Sequence, residues 1–311
     1  MLERPDVKAG KAQAAHAPAG LGATRLVCAK TAEEACTLLA EAAKKRQSAM
    51  LLAGGTDVIV DRHLVPIEKA TNVDLVVDVN GIADFRKIAR ERDHLVLGGG
   101  VTYWDLRKNE TVRSAIPMLG DMAKDVGAVQ IQTRGTLAGN IATASPAADG
   151  VAALMALDTV VRLESVDGTR EVVLESFFSG YRKTVMRKDE IIVGLELRIP
   201  QAGAWVRWRK VGTRLAQAIS KVALASVVEV SPKDGVIEKA RFGMASVAAV
   251  TTPLAAVRTY LEGRKLADVE EKALREALAR DITPIDDVRS TGEYRLHVAE
   301  ALVRRALEPV A

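Results

Sequence analysis

Between Gln130 and Asp149 the chain carries few large apolar side chains and many glycine, alanine, serine, threonine and asparagine residues. So long a stretch with little apolar bulk inside a compact domain is usually functional. Gly135, Ala138 and Gly139 allow the backbone to wrap closely around a ligand. The alternative is a tightly packed crossing between subdomains, but its many donors would then need partners. We therefore predict that this segment binds a ligand.

The polar side chains of this segment indicate what it binds. Thr136, Asn140 and Ser145 can donate hydrogen bonds to phosphate or ribose oxygens, and an ionised Asp149 can accept one from a ribose or ribityl hydroxyl. A second glycine-rich turn, Gly54-Gly55-Thr56-Asp57, follows an apolar strand predicted over Ala49–Ala53. Successive N–H groups in such a turn can form an anion-binding concavity. Taken alone, that turn is more typical of an ordinary strand-to-helix connection.

Several other kinds of site are disfavoured. Neither segment matches the G-x-G-x-x-G or the G-x-x-x-x-G-K-[ST] fingerprint, which argues against an ordinary Rossmann NAD site and against a P-loop. The two cysteines, Cys28 and Cys36, cannot supply a disulfide framework, a four-thiolate zinc site or an iron–sulfur cluster. The four histidines are scattered. We predict no metal site and no catalytic residue, so redox chemistry in this chain requires an organic cofactor.

Composition narrows the class of protein further. The apolar runs are far shorter than the roughly 20 residues of a membrane span. Aromatic residues make up 4% of the chain, too few for a platform that stacks single-stranded nucleic acid. The net charge is +4, and basic residues are interspersed with acidic ones. We therefore predict no membrane span and no nucleic-acid partner.

The length of 311 residues suggests two domains. Residues 1–22, rich in alanine, glycine, proline and charge, are predicted to form a flexible N-terminal extension. Short strands and helices then alternate as far as Pro200. Beyond it the pattern predicts three strands followed by three helices, which is typical of an α+β unit with helices on one face of an antiparallel sheet. We place the boundary near Gln201–Gly203, giving domains 23–202 and 203–311.

Two motifs about eighty residues apart, Ala53–Asp57 and Gln130–Asp149, resemble those of the FAD-binding medium subunit of the xanthine dehydrogenase and carbon monoxide dehydrogenase family of molybdenum hydroxylases. The family patterns are A-G-G-T-D and Q-I-R-N-x-G-T-x-G-G-N, the second followed by small residues and P-x-x-D. The resemblance continues through Glu190–Ile192, Lys210–Val222 and Glu293–Leu296.

The sequence departs from the family pattern at three positions. Gln132 and Thr133 stand where arginine and asparagine are common, and Ala138 replaces the first glycine of G-G-N. Alanine favours a negative φ, so the loop keeps its geometry only if position 138 is not left-handed.

The resemblance implies a two-subdomain FAD-binding module of the PCMH/VAO type, followed by a smaller C-terminal α+β domain of the CO dehydrogenase flavoprotein type. FAD is the implied cofactor. The implied FAD-binding residues are Leu51, Leu52, Ala53, Gly54, Gly55, Thr56, Asp57, Val58, Gln130, Thr136, Leu137, Ala138, Gly139, Asn140, Ser145, Asp149, Ile192 and Lys210. A lysine at position 210 near the flavin pyrimidine would favour the anionic reduced flavin; a surface lysine at a strand end is the alternative.

The implied function is that of an oxidoreductase subunit that takes electrons from iron–sulfur clusters to FAD and passes them to an external acceptor. The implied partners are a molybdenum-cofactor large subunit and a 2Fe–2S small subunit, in a dimer of heterotrimers in the cytoplasm. Two alternatives remain open: a stand-alone FAD-dependent oxidoreductase with its own substrate pocket, and a scaffold subunit that has lost the flavin.

Overall fold

The computed structural model describes residues 24–58, 60, 73–215 and 217–309. The extension predicted for residues 1–22 lies outside the described residues. The helices are Ala32–Lys44 (α1), Tyr103–Lys108 (α2), Glu110–Ala115 (α3), Pro117–Asp125 (α4), Val129–Gln132 (α5), Leu137–Thr143 (α6), Asp149–Met155 (α7), Ala255–Leu261 (α8), Glu271–Asp281 (α9) and Gly292–Ala306 (α10). The strands are Arg25–Cys28 (β1), Ala49–Leu52 (β2), Leu75–Asp78 (β3), Ile88–Glu91 (β4), His94–Gly98 (β5), Val160–Ser165 (β6), Gly168–Val173 (β7), Phe178–Gly180 (β8), Lys183–Thr184 (β9), Ile191–Arg198 (β10), Trp205–Val211 (β11), Val222–Val230 (β12) and Ile237–Ala245 (β13).

A small parallel sheet, ordered β1-β3-β2, forms the first subdomain with α1. Helix α1 begins at Thr31, whose hydroxyl accepts from the Glu34 N–H at 3.0 Å, as expected for an N-cap. Its buried face, which includes Ala35 and Leu39, packs between the small sheet and strands β6 and β10. The first glycine turn follows the carboxyl end of β2 and therefore lies at one edge of this sheet.

A five-stranded antiparallel sheet, ordered β4-β5-β10-β6-β7, is the frame of the second subdomain. Helices α2, α3, α4, α6 and α7 contribute residues to its core, which includes Leu97, Leu119 and Leu195. Strand β10 contains a bulge between Ile192 and Gly194, opposite the end of β5. This irregularity occurs where the sheet reaches the glycine segments.

The stretch from Gln130 to Asp149 is not an extended loop, as its small residues suggested, but is largely helical. It contains α5, α6 and the start of α7, joined by short turns. Helices of four to seven residues have too few turns to display a clear apolar period in the sequence. Close packing of these short helices requires small side chains in the same way that a loop around a ligand does.

The C-terminal part is an antiparallel sheet, ordered β11-β12-β13, with α8 to α10 on one face. Strand β12 is buried on both faces. Ala223, Ala225 and Val227 belong to the core shared with the second subdomain, whereas Leu224 and Val228 pack beneath the C-terminal helices. The sheet therefore joins the two parts of the chain through a continuous apolar core.

Candidate functional site

The two glycine segments meet in space. A Cβ built on Gly54 would lie 2.1 Å from the Arg134 carbonyl oxygen and 2.9 Å from the Gly135 Cα, so only glycine allows this approach. Gly55 has a φ of +73°, which also favours glycine. The Thr143 hydroxyl donates to Asp57 Oδ2 at 2.9 Å and ties α6 to the first turn. Two segments about eighty residues apart in sequence thus form one continuous structure.

A cavity of about 360 Å³ opens between these segments. The two glycine segments form two sides of the cavity, and the ends of β5 and β10 form the third. Gly99 lies close to Ile192 on this third side, since a Cβ built on Gly99 would come 2.2 Å from the Ile192 carbonyl oxygen. Phe85 and Met186 supply apolar surface. The cavity therefore combines close backbone approach on two sides with an apolar wall on the third.

Many of the residues expected from the sequence line this cavity. They are Leu51, Ala53, Gly54, Gly55, Thr56, Asp57, Val58, Thr136, Ala138, Gly139, Asn140 and Ile192. Six others are not among its lining residues: Leu52, Gln130, Leu137, Ser145, Asp149 and Lys210. Leu137 is a core residue, and Gln130 is exposed. The roles assigned to all these side chains in FAD binding stay predictions.

Ala138 satisfies the condition that the sequence set for it. It lies in α6, which is capped by Thr136, and its φ is not positive. An alanine here improves helix propensity over glycine. Gln132 is equally well accommodated: its NH₂ group donates to the Lys124 and Val126 carbonyl oxygens, and its Oε1 accepts from Arg107 at 2.5 Å.

Lys210 and Asp149 form a buried ion pair that joins β11 to α7. The Lys210 Nζ lies 2.5 Å from Asp149 Oδ2, and the Ser220 hydroxyl donates to Asp149 Oδ1 at 2.5 Å. Lys210 also donates to the Asp125 carbonyl oxygen. Burial raises the pKa of the Asp149 carboxyl, and Lys210 opposes that shift. Lys210 is therefore not an exposed lysine at a strand end.

The sequence analysis missed several lining residues, among them Gly99 and Tyr103. Gly99 belongs to a run of three glycines, Gly98-Gly99-Gly100, directly after a predicted strand, and that run could have indicated a close backbone approach. Tyr103 begins α2 and reaches the cavity because residues Thr102 and Thr136 form an isolated β-bridge. No local pattern marks Tyr103, since its place depends on that long-range pairing.

The cavity also contains a polar group that lacks a partner. Asn140 Oδ1 is buried and accepts no hydrogen bond from any described residue. Such an orphaned acceptor is costly unless a ligand or a neighbouring group satisfies it. The chemistry of the lining is therefore polar on the glycine segments and apolar at Phe85 and Met186.

Comparison with known proteins identifies the family. A model described as the FAD binding domain in molybdopterin dehydrogenase matches residues 22–202. The chain belongs to this family. A second model, the CO dehydrogenase flavoprotein C-terminal domain, matches residues 207–310. The resemblance stated from the two motifs is thus confirmed, as is the fold class of an FAD-binding module followed by an α+β domain.

The relatives agree with this assignment. The chain is 32% identical over 204 residues to the nicotinate dehydrogenase FAD-subunit of Eubacterium barkeri, covering 65% of this chain and 67% of the relative. It is 28% identical over 281 residues to the carbon monoxide dehydrogenase medium chain of Hydrogenophaga pseudoflava, covering 89% and 93%. The chain is an FAD-dependent oxidoreductase subunit of the molybdenum hydroxylase family.

Solved structures show the same fold. A carbon monoxide dehydrogenase from Hydrogenophaga pseudoflava, described as lacking the Mo-pyranopterin moiety of the molybdenum cofactor, superposes with a TM-score of 0.84 at 25% identity, over 93% of this chain and 97% of that one. None of the helices among the described residues is long and apolar enough to cross a membrane.

The residues of the cavity fit FAD. The two glycine turns provide backbone that a diphosphate can approach closely, and Gly54 shows that a side chain would close this space. The Asn140 amide and the hydroxyl of Thr56 are polar groups suited to a dinucleotide, while Phe85, Met186 and Ile192 offer an apolar wall to a flavin ring.

Proposed function

We propose that this chain is the electron-transfer subunit of a molybdenum-containing hydroxylase complex. It receives electrons from iron–sulfur clusters on a 2Fe–2S small subunit, and these derive from substrate oxidation on a molybdenum-cofactor large subunit. When bound, FAD supplies a centre that can accept single electrons and release a pair. Support for partners comes from relatives that are named medium chains or subunits of dehydrogenases and hydroxylases. A dimer of heterotrimers and a cytoplasmic location remain predictions.

The observation that carries this proposal is the meeting of two glycine segments around one cavity. We assign the FAD diphosphate to residues 54–57 and 136–140, where the backbone is open and the Thr56, Thr136 and Asn140 side chains are polar. The flavin ring then faces the apolar wall that contains Ile192 and Met186. Asp149 and Lys210 are assigned to the cofactor as the resemblance predicts, although neither residue lines the cavity.

Purification of the native complex tests this function. We expect the chain to co-purify with molybdenum, iron and FAD, and its flavin absorbance to bleach when the substrate of the complex is added. The isolated chain should bind FAD but should not oxidise purines, aldehydes or N-heterocycles by itself. A colourless chain would favour a scaffold subunit, and turnover of substrate by the isolated chain would favour a stand-alone oxidoreductase.

A further inference from the structure

Tyr103 is a buried polar residue at the cavity that no assigned role uses. Its side chain is 3% exposed, and it lines the cavity. The edge of the Tyr103 ring lies 3.4 Å from where a Gly135 Cβ would stand. The backbone N–H of Tyr103 donates to the Gly135 carbonyl oxygen at 3.2 Å, so the residue is fixed in place. A rigid phenol is thus held beside the second glycine segment.

Asn140 presents the complementary group. Its Oδ1 is buried and unpaired, although the residue itself lines the cavity. An asparagine amide has an acceptor at one end and a two-proton donor at the other. With Oδ1 turned to the interior, the NH₂ group is the end that a ligand in the cavity can reach.

Asn140 Oδ1 and the Tyr103 hydroxyl oxygen both lie against Gly150. A Cβ at that position would be 2.7 Å from Asn140 Oδ1 and 2.8 Å from the Tyr103 hydroxyl oxygen. Tyr103 can donate and Asn140 Oδ1 can only accept, so the two groups are chemically matched. Glycine at 150 leaves the space between them free.

We propose that Tyr103 is a positioning residue for the cofactor site: when FAD occupies the cavity, its hydroxyl donates to Asn140 Oδ1 and so holds the Asn140 NH₂ group toward the FAD diphosphate. This inference rests on the proposed assignment of Asn140 to the diphosphate. Hydrogen bonds of this kind are often long in the absence of a ligand and shorten when it binds. The orientation of the amide is therefore coupled to occupation of the cavity.

The environment keeps Tyr103 in its donor form. Burial raises the pKa of the Tyr103 phenol, and the carboxylates of Asp149 and Asp57 raise it further. Asp149 in turn is held by Lys210 and Ser220 from the C-terminal part of the chain. The phenol is therefore protonated at neutral pH and can donate a hydrogen bond.

A double-mutant cycle tests the proposal. The FAD dissociation constant of the full-length, deflavinated chain is measured by flavin fluorescence for wild type, Tyr103→Phe, Asn140→Ala and the double variant. We expect Tyr103→Phe to weaken FAD binding about tenfold, which corresponds to about 1.4 kcal/mol. In the Asn140→Ala background the same change should have no further effect, because Tyr103 acts through Asn140.

Two controls separate positioning from packing. Tyr181→Phe removes a hydroxyl from a tyrosine that is 62% exposed and should leave FAD affinity unchanged. Thermal unfolding of the cofactor-free Tyr103→Phe chain should match wild type, since the proposed hydrogen bond forms only when FAD is bound. Unchanged FAD affinity in Tyr103→Phe, or an equal loss with and without Asn140, would overturn the proposal. A wild-type chain that binds no FAD would instead refute the assignment of the cavity.

Discussion

At the scale of single residues, Gly139 illustrates why the second segment needs small side chains. Its N–H donates to the Thr136 hydroxyl at 3.0 Å, which caps α6. A Cβ at this position would lie 2.8 Å from the same hydroxyl oxygen. Its φ is not positive, so glycine is required here for space and not for backbone conformation. A larger residue would displace the cap at the edge of the cavity.

We therefore expect Gly139→Val to abolish FAD retention. The branched side chain is stiff at χ1 and would push against Thr136 while filling the approach to the backbone. The measurement is the ratio of flavin to protein absorbance after purification. Gly120→Ala is the matched control, because nothing lies within 4 Å of its Cβ and alanine suits its helix. A normal flavin content in Gly139→Val would contradict the assignment of this segment.

Asp149 allows a second prediction at this scale. Asp149→Ala leaves Lys210 charged and buried without its partner, so we expect the free energy of unfolding to fall by about 3–5 kcal/mol. Chemical denaturation of the cofactor-free chain measures this loss. The double variant with Lys210→Met should recover much of it, since no unpaired charge remains. FAD affinity measured on the double variant then tests the role of the Asp149–Lys210 pair at the cofactor, and an unchanged affinity would remove both residues from the site.

At the scale of elements, Glu190 fixes the turn that leads into β10. Its buried carboxylate accepts from Arg170 Nε at 2.6 Å, from Arg170 Nη2 at 2.9 Å and from the Arg187 N–H at 2.7 Å. The same guanidinium donates to the Val185 carbonyl oxygen. These bonds hold the chain between Val185 and Glu190, and with it the cavity residue Met186.

The Arg170 hydrogen bond lowers the pKa of Glu190 in the folded protein. The pair therefore stabilises the fold at pH values above the ordinary glutamate pKa of about 4.5. This stabilisation is lost as the pH falls through the lowered pKa of Glu190 in the folded state. Glu190→Gln should reduce the free energy of unfolding by about 1–2 kcal/mol at neutral pH, with a smaller difference in acid. Urea denaturation across this range measures it. Glu110→Gln, at a side chain that is 90% exposed, should have almost no effect. A deficit independent of pH would argue against the ion pair.

Prediction from sequence succeeded for elements with enough length to show a period. The three strands and three helices expected after Pro200 are all present in that order. The short helices of residues 129–155 were missed, since propensity and period say little over one or two turns. The cavity lies where glycine and small polar residues cluster in sequence, as at Gly54 and Gly139. Tyr103 and the Asp149–Lys210 pair depend on long-range contacts that no local pattern contains.

At the scale of the whole molecule, the C-terminal sheet completes the core of the FAD-binding module. Trp208 of β11 packs in that core, and its indole N–H donates to Asp125 Oδ2 at 2.8 Å. Arg241 of β13 is paired with Glu229 and with Asp158, which precedes β6. With the Lys210–Asp149 pair, these contacts join the two parts by both apolar and ionic surfaces. We therefore expect the FAD-binding module and the C-terminal part to unfold together.

Gly243→Ala tests this cooperativity. Gly243 lies where β13 crosses α7, and a Cβ there would stand 2.0 Å from the Ala152 carbonyl oxygen. A backbone oxygen cannot move away by a change of rotamer, so the strand and the helix must separate. We expect the free energy of unfolding to fall by about 3 kcal/mol. Flavin release and loss of circular dichroism should occur in one transition at a lowered temperature. Val288→Ala, at a side chain that is 99% exposed, should change neither signal. The contradicting outcome is two separate unfolding transitions with flavin retained after the first. The FAD-binding module would then hold its cofactor without the C-terminal sheet, and the two domains would be energetically independent.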